Sequence, residues 1–218
     1  MSKFYFLIFC LIFSLPLLAQ EYEYDYNFFT NSPMAGDYFF SKAASGGGST
    51  FKNSDGKLPV SETIFHTPGN AIELQYQNAA DGHWQASIYY NEKRGMDHFR
   101  KTTFLSFWML TLSTTENDLP QVQLMVKDSS LSSPYPLTAG KADEWQQVLV
   151  PLSSFKNYDS RNVENCIAVV FSQSQKIAGS QQTIYIDDIE FLPLATSTTI
   201  LSKPEIASAK GYAMHVDL

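Results

Sequence analysis

The feature that most constrains this chain is a series of short runs in which large apolar residues recur at every second position, separated by clusters of Gly, Ser, Asn, Asp and Pro. Residues 71–77 (AIELQYQ) put Ile72, Leu74 and Tyr76 on one face, and residues 84–90 (WQASIYY) do the same with Trp84, Ala86, Ile88 and Tyr90. Val122, Leu124 and Val126 share a face in a third run. A period of two is that of a half-buried β-strand, because successive side chains leave a strand on opposite sides. No stretch sustains the helical period, and none offers the long crossover that parallel strands need. Residues 103–112 (TFLSFWMLTL) are apolar almost throughout and read as a strand buried on both faces. Runs at 37–42, 145–151, 165–172 and 183–192 complete the set. Residues 43–56, 129–140 and 173–181 read as loops, and 152–162 as one helical turn or an irregular crossover. Eight or nine short antiparallel strands predict an all-β protein, a jelly-roll β-sandwich, with an up-and-down barrel as the alternative architecture.

The two ends read differently from this body. Lys3 followed by an apolar run up to Leu18 and a small residue at Ala19 predicts a secretory signal peptide over residues 1–19. Residues 22–193 hold the sandwich, and 194–203 (LATSTTILSK) have linker composition. Residues 204–218 begin a strand pair that cannot bury a face by itself, so the expectation is a truncated second β domain and a monomer with further C-terminal domains. The alternative is a last strand that adds back onto the sandwich.

Charge narrows the partners. Without Lys3 the chain carries 14 Lys and Arg against 22 Asp and Glu, a net charge of −8. An acidic surface repels phosphates and anionic lipid, so neither nucleic acid nor membrane insertion after signal cleavage is expected. Beyond the signal only Cys166 remains, in an apolar run, and it reads as a small buried hydrophobe.

Five segments carry a resemblance. Residues 68–74 (PGNAIEL), 81–86 (DGHWQA), 105–108 (LSFW), 144–155 (EWQQVLVPLSSF) and 183–191 (TIYIDDIEF) occur in this order in galactose-binding-like jelly rolls, a group that includes carbohydrate-binding modules attached to secreted bacterial glycosidases. The chain resembles them over residues 22–193. Residues 204–218 are similar to the opening strands of a fibronectin type III domain. The resemblance implies an exported bacterial protein, periplasmic, cell-surface or extracellular, in which this part binds a polysaccharide or oligosaccharide without catalysis. A jelly-roll polysaccharide lyase or glycoside hydrolase, and a structural spacer, are the alternatives.

Site residues follow from chemistry and from the resemblance. Sugar rings stack on flat aromatic faces while amides, carboxylates and guanidinium groups hold their hydroxyls. That makes Trp84, Tyr89, Tyr135 and Tyr158 the candidate platforms and Arg94 and Asp97 the candidate polar contacts, with Trp84 open to a core role and Trp108 and Trp145 expected in the core. Strict alternation puts Asp187 on a face with Tyr185, Ile189 and Phe191, and Asp188 on the other with Ile184, Ile186 and Glu190. Either way a carboxylate meets an apolar face and needs hydrogen bonds or a cation. The resemblance implies a structural calcium on Asp187, with Asp25 and Asp55 as further ligands; the alternative is that Asp187 caps backbone N–H groups. On the strand 183–192, Ile186 occupies the place that a third acid would need for two-carboxylate hydrolysis, so no catalytic residue is assigned.

Overall fold

The structure, a computed structural model, describes residues 27–30, 40–90, 102–112, 118–156 and 166–193. Within these residues the chain forms β1 (Asn27–Phe29), β2 (Ser41–Gly46), β3 (Thr50–Phe51), β4 (Val60–Ser61), β5 (Ala71–Gln77), β6 (His83–Tyr89), β7 (Thr102–Thr111), β8 (Gln121–Val126), β9 (Tyr135–Pro136), β10 (Gln146–Pro151), β11 (Cys166–Ser172) and β12 (Gln181–Pro193), with one 3-10 turn at Leu152–Ser154. The strands make two sheets. Sheet A runs β10-β7-β12-β5-β3, with β1 on β12 and β4 on β5; sheet B runs β2-β6-β11-β8-β9. The pairings are antiparallel. This is the all-β sandwich that the alternation predicts. Residues 1–19, 194–203 and 204–218, read from the sequence as signal peptide, linker and second domain, lie outside the described residues.

The alternating positions become the two inner faces. Ile72, Leu74 and Tyr76 from β5 meet Trp84, Ala86 and Ile88 from β6, and Phe107 of β7 meets Phe171 of β11 edge to face at 5.4 Å. Cys166 is fully buried in the same core. Burying each large side chain of this kind stabilises the fold by about 1.5–3 kcal/mol. The strand β7 departs from expectation: its inner residues Leu105, Phe107 and Met109 are buried, but Trp108 is only half-buried on the outside. Two stretches read as loops also hold short strands. Residues 43–46 continue β2, residues 50–51 form β3, and residues 135–136 form β9. Such pieces are too short to signal themselves; β3 exists because Phe51 pairs with Tyr76 of β5, and β9 because Tyr135 pairs with Val122 of β8.

Candidate functional site

The candidate surfaces are the outer face of sheet B, the outer face of sheet A, and the open edge between them.

On sheet B the register lines up side chains in rows across the strands. Ala44, Gln85, Ser172 and Gln121 make one row; Lys42, Ser87, Val170 and Gln123 the next; Tyr89, Ala168 and Met125 the third. All alternate with core residues, so all sit on the outer face. Small residues occupy the middle of the sheet, and longer amides, Lys42, Tyr89 and Met125 stand around them. The amides are tied together: Gln85 Nε2 donates to Ser87 Oγ at 3.0 Å, Gln121 Nε2 to Ser172 Oγ at 3.1 Å, and Ser172 Oγ to Gln123 Oε1 at 3.3 Å. Gln123 Nε2 in turn donates to the Ser132 carbonyl at 2.8 Å. Such a network fixes amide planes before a ligand arrives, which lowers the entropy lost on binding. Tyr89 is half-buried against Met125, Ala168 and Val170, which fixes its ring at one end of the platform. None of the eleven residues in these rows is an acid or a histidine, so the rows supply no carboxylate or imidazole for general acid–base chemistry.

On sheet A the central feature is a break in β12. Asp187 lies opposite Trp108 of β7, but Glu190 lies opposite Ser106, so β12 uses one residue more than its neighbour. Asp188 takes up the excess with a left-handed backbone, φ +49°. The result is a β-bulge, which re-aims side chains. Beyond it Ile189 and Phe191 turn into the core with Ile184 and Ile186. That corrects the face assignment from strict alternation, which put Ile189 and Phe191 opposite Ile184 and Ile186.

The bulge brings both carboxylates onto one dipeptide of the segment 61–70. Asp187 Oδ2 accepts the backbone N–H groups of His66 and Thr67, each at 2.9 Å, and its Oδ1 accepts the N–H of Asp188 at 2.8 Å. Asp188 Oδ2 accepts the Thr67 hydroxyl at 2.6 Å and lies 3.0 Å from His66 Nδ1. The His66 ring stacks on Trp108, centroids 3.8 Å apart, and meets Trp145 edge-on at 5.8 Å. Ile64, Phe65 and Trp145 pack on Ala71, Leu110 and Tyr185 beneath them. Trp145, expected in the core, therefore belongs to a small second cluster that pins segment 61–70 to the outside of sheet A, and Trp108, also expected in the core, holds the same segment through the His66 ring. Asp187 is fully buried there, and its carboxyl is pushed up to about 7, first by burial and then by the neighbouring Asp188, against the pull of its three N–H donors.

This group is not a nucleophile relay. In such a relay the acid orients one nitrogen of a histidine and the other nitrogen takes the hydroxyl proton. Here Thr67 gives its proton straight to Asp188, and the nitrogen of His66 nearest that hydroxyl is the one already facing Asp188. The groups around Asp187 are N–H donors, whereas calcium takes six to eight oxygens, and no three His, Cys, Asp or Glu side chains converge among the described residues. Asp55 sits in the turn 54–57, where it and Gly56 have φ of +52° and +80° and Ser54 pairs with Lys57. An Asp-Gly pair is what such a two-residue hairpin turn requires. Asp25 lies outside the described residues.

The glycan candidates separate. Trp84 is in the core, 1% exposed, with Tyr76 4.4 Å and Phe51 5.2 Å away between ring centres and its Nε1 donating to Asn78 Oδ1 at 2.8 Å. A ring with no free face cannot stack on a sugar, so the platform reading of Trp84 is corrected. Alternation always placed it with Ala86 and Ile88, the signal that marks it as core. Tyr89 is on the sheet B platform. Tyr135 is half-buried at the sandwich edge, its ring 6.4 Å from that of Phe155. Arg94, Asp97 and Tyr158 lie outside the described residues. Sequence reasoning missed Gln85, Ser87, Gln121, Gln123 and Ser172; the polar positions alternating with core residues in β6, β8 and β11 were the available signal.

The described residues thus form a two-sheet antiparallel sandwich with a hydrogen-bonded array of amides and hydroxyls and one ordered aromatic on the outer face of sheet B. The sequence matches the family described as Carbohydrate binding domain 30 over residues 25–193. The chain belongs to that family. It is 36% identical over 216 residues, 95% of its length, to an exo β-1,2-glucooligosaccharide sophorohydrolase (non-reducing end) of Parabacteroides distasonis, of which it spans 30%. The fold is similar to part of the crystal structure of a β-1,2-glucanase from Parabacteroides distasonis, with a TM-score of 0.71 and 34% identity, covering 79% of this chain and 26% of that one. It is also similar to the family 30 carbohydrate-binding module of a Clostridium thermocellum cellulosomal cellulase, with a TM-score of 0.58 and 16% identity, covering 78% of this chain and 98% of that module.

Proposed function

We propose that this chain is a non-catalytic glycan-binding module of a secreted glycan-degrading protein, and that it lays a β-linked gluco-oligosaccharide across the outer face of sheet B. The observation that carries the reading is the set of three cross-strand rows in which a pre-tied array of amides and hydroxyls surrounds small central residues and ends at Tyr89. Amides meet sugar hydroxyls with donors and acceptors together, and Tyr89 offers an apolar surface to a ring's C–H groups. Family membership and the β-1,2-gluco-oligosaccharide named for the relative support glucan as the ligand class. The acidic pair at 187–188 is turned to holding segment 61–70, which agrees with binding and not bond cleavage. The apolar leader at residues 1–19 supports export, and N-terminal sequencing of protein recovered outside the cytoplasm tests it.

The test is calorimetric titration of the full chain with β-1,2-, β-1,3- and β-1,4-linked gluco-oligosaccharides, beside Tyr89→Ala and Gln123→Ala variants. Saturable binding to at least one series, weakened in both variants, is expected. No binding to any series returns the chain to the spacer reading, and steady release of reducing sugar returns it to the enzyme reading.

A further inference from the structure

The sandwich is open along one side, between β10 at the edge of sheet A and β9 at the edge of sheet B. A cleft of about 230 Å³ lies there. Met109, Leu137 and Val148 back it from the core, while most of the surface it offers is polar. Its rim is polar, with Tyr135, Thr138 and Gln146. Among the described residues, no hydrogen bond engages the Tyr135 hydroxyl, the Thr138 hydroxyl or the Gln146 amide. Three such groups at the rim are donors and acceptors that can orient a hydroxyl-bearing ligand.

The Gln146 amide is placed, not loose. It lies directly over the bare Cα of Gly140, where an added Cβ would stand 1.7 Å from Gln146 Oε1. Glycine at 140 therefore lets the amide lie back against the cleft wall. The Tyr135 ring is similarly braced, leaning on the core and on Phe155 while its position stays half-buried. At about 230 Å³ the cleft is smaller than the roughly 300–1,000 Å³ of pockets for drug-sized molecules and matches a ligand of about one sugar ring.

We propose that the cleft between β9 and β10 is a second carbohydrate site, taking a single pyranose ring at a glycan end on Tyr135 with its hydroxyls held by Gln146 and Thr138. It rests on the family's carbohydrate chemistry but not on the sheet B platform, from which it is separated by the sheet edge. Tyr135 pairs with the inward residue Val122, while Pro136 pairs with the platform residue Gln121. One module then holds a chain along its face and a chain end at its side, which raises avidity for branched or bundled glycan without raising either single affinity.

The test is backbone-amide NMR titration of the full chain with methyl β-D-glucopyranoside, methyl β-D-galactopyranoside and methyl β-D-xylopyranoside, each too short to span the platform. At least one should shift the amides of residues 137–140 and 146–149, and Gln146→Ala and Gly140→Ala should each weaken that binding at least about tenfold. Gly140→Ala leaves every cleft-lining side chain in the sequence and displaces only the amide, so it separates the site from the fold. Tyr89→Ala should leave these shifts unchanged, which keeps failure of the platform distinguishable from failure of the cleft. The proposal is overturned if none of the three glycosides moves the cleft amides, or if the shifts persist in both Gln146→Ala and Gly140→Ala.

Discussion

Replacing Asp187 with Asn tests how a buried acid is held in a β-bulge. Two effects oppose each other at this carboxyl. Burial and the adjacent Asp188 disfavour its charge, while the N–H groups of His66, Thr67 and Asp188 favour it. The first pair wins, moving the group from 3.8 to about 7. The folded protein therefore binds this proton more tightly than the unfolded chain does. Stability from the protonated group is fully present below about pH 4 and is lost as pH rises toward about 7. At ~1.4 kcal/mol per unit, a shift of about three units sets a ceiling of about 4 kcal/mol on that loss. Asn cannot titrate. With its oxygen toward His66 and Thr67, its NH₂ faces the N–H of Asp188, a pH-independent cost of about 1–3 kcal/mol. The assay is urea unfolding of both proteins across that pH range, taking the difference so that other carboxylates cancel. The variant should be the less stable protein at acid pH, and the gap should narrow or reverse toward neutrality. A constant gap, or one that widens as pH rises, refutes the reasoning and means that the three N–H bonds keep the carboxylate ionised throughout.

Trp84→Ala should cost about 3–5 kcal/mol of stability, because it removes a core ring packed on Tyr76 and Phe51; denaturant midpoints measure it. Tyr89→Ala should cost about 1 kcal/mol of stability through its lost packing, leaving the protein folded, and lower glucan affinity about tenfold, ~1.4 kcal/mol, by calorimetry; equal affinity in the variant removes Tyr89 from the platform. His66→Ala should lose the stack on Trp108 and increase hydrogen exchange of the Thr67 amide, with the exchange of β8 and β11 unchanged. Gly56→Ala should destabilise by about 1–2 kcal/mol through its φ of +80° alone, since nothing lies within 4 Å of the added methyl.

The strands were legible wherever one face was greasy and the other polar. Ile72, Leu74 and Tyr76 in β5, and Trp84, Ala86 and Ile88 in β6, point inward as their spacing requires, because a period of two leaves no other way to bury them. The same pattern already placed Trp84 inside, and only its aromatic chemistry argued for a ligand. The platform residues were legible only as the polar partners of that alternation; nothing in the chain order says that Gln85 and Ser172 stand side by side.

By itself, then, the sequence determined the fold class and the inner faces of the regular strands, because hydrophobic periodicity is a local property. The tertiary structure alone decided the bulge at Asp187 and Asp188, since an extra residue exists only relative to the count on the neighbouring strand β7. It also decided that Trp108 and Trp145 lie outside the main core, because both faces of β7 are apolar and only the packing of segment 61–70 tells them apart. The cleft at Tyr135 belongs to neither β9 nor β10 but to the gap between two sheet edges that the chain brings together. Surfaces of this kind are set by register and by which edges remain unpaired, and those are properties of the assembled sheets.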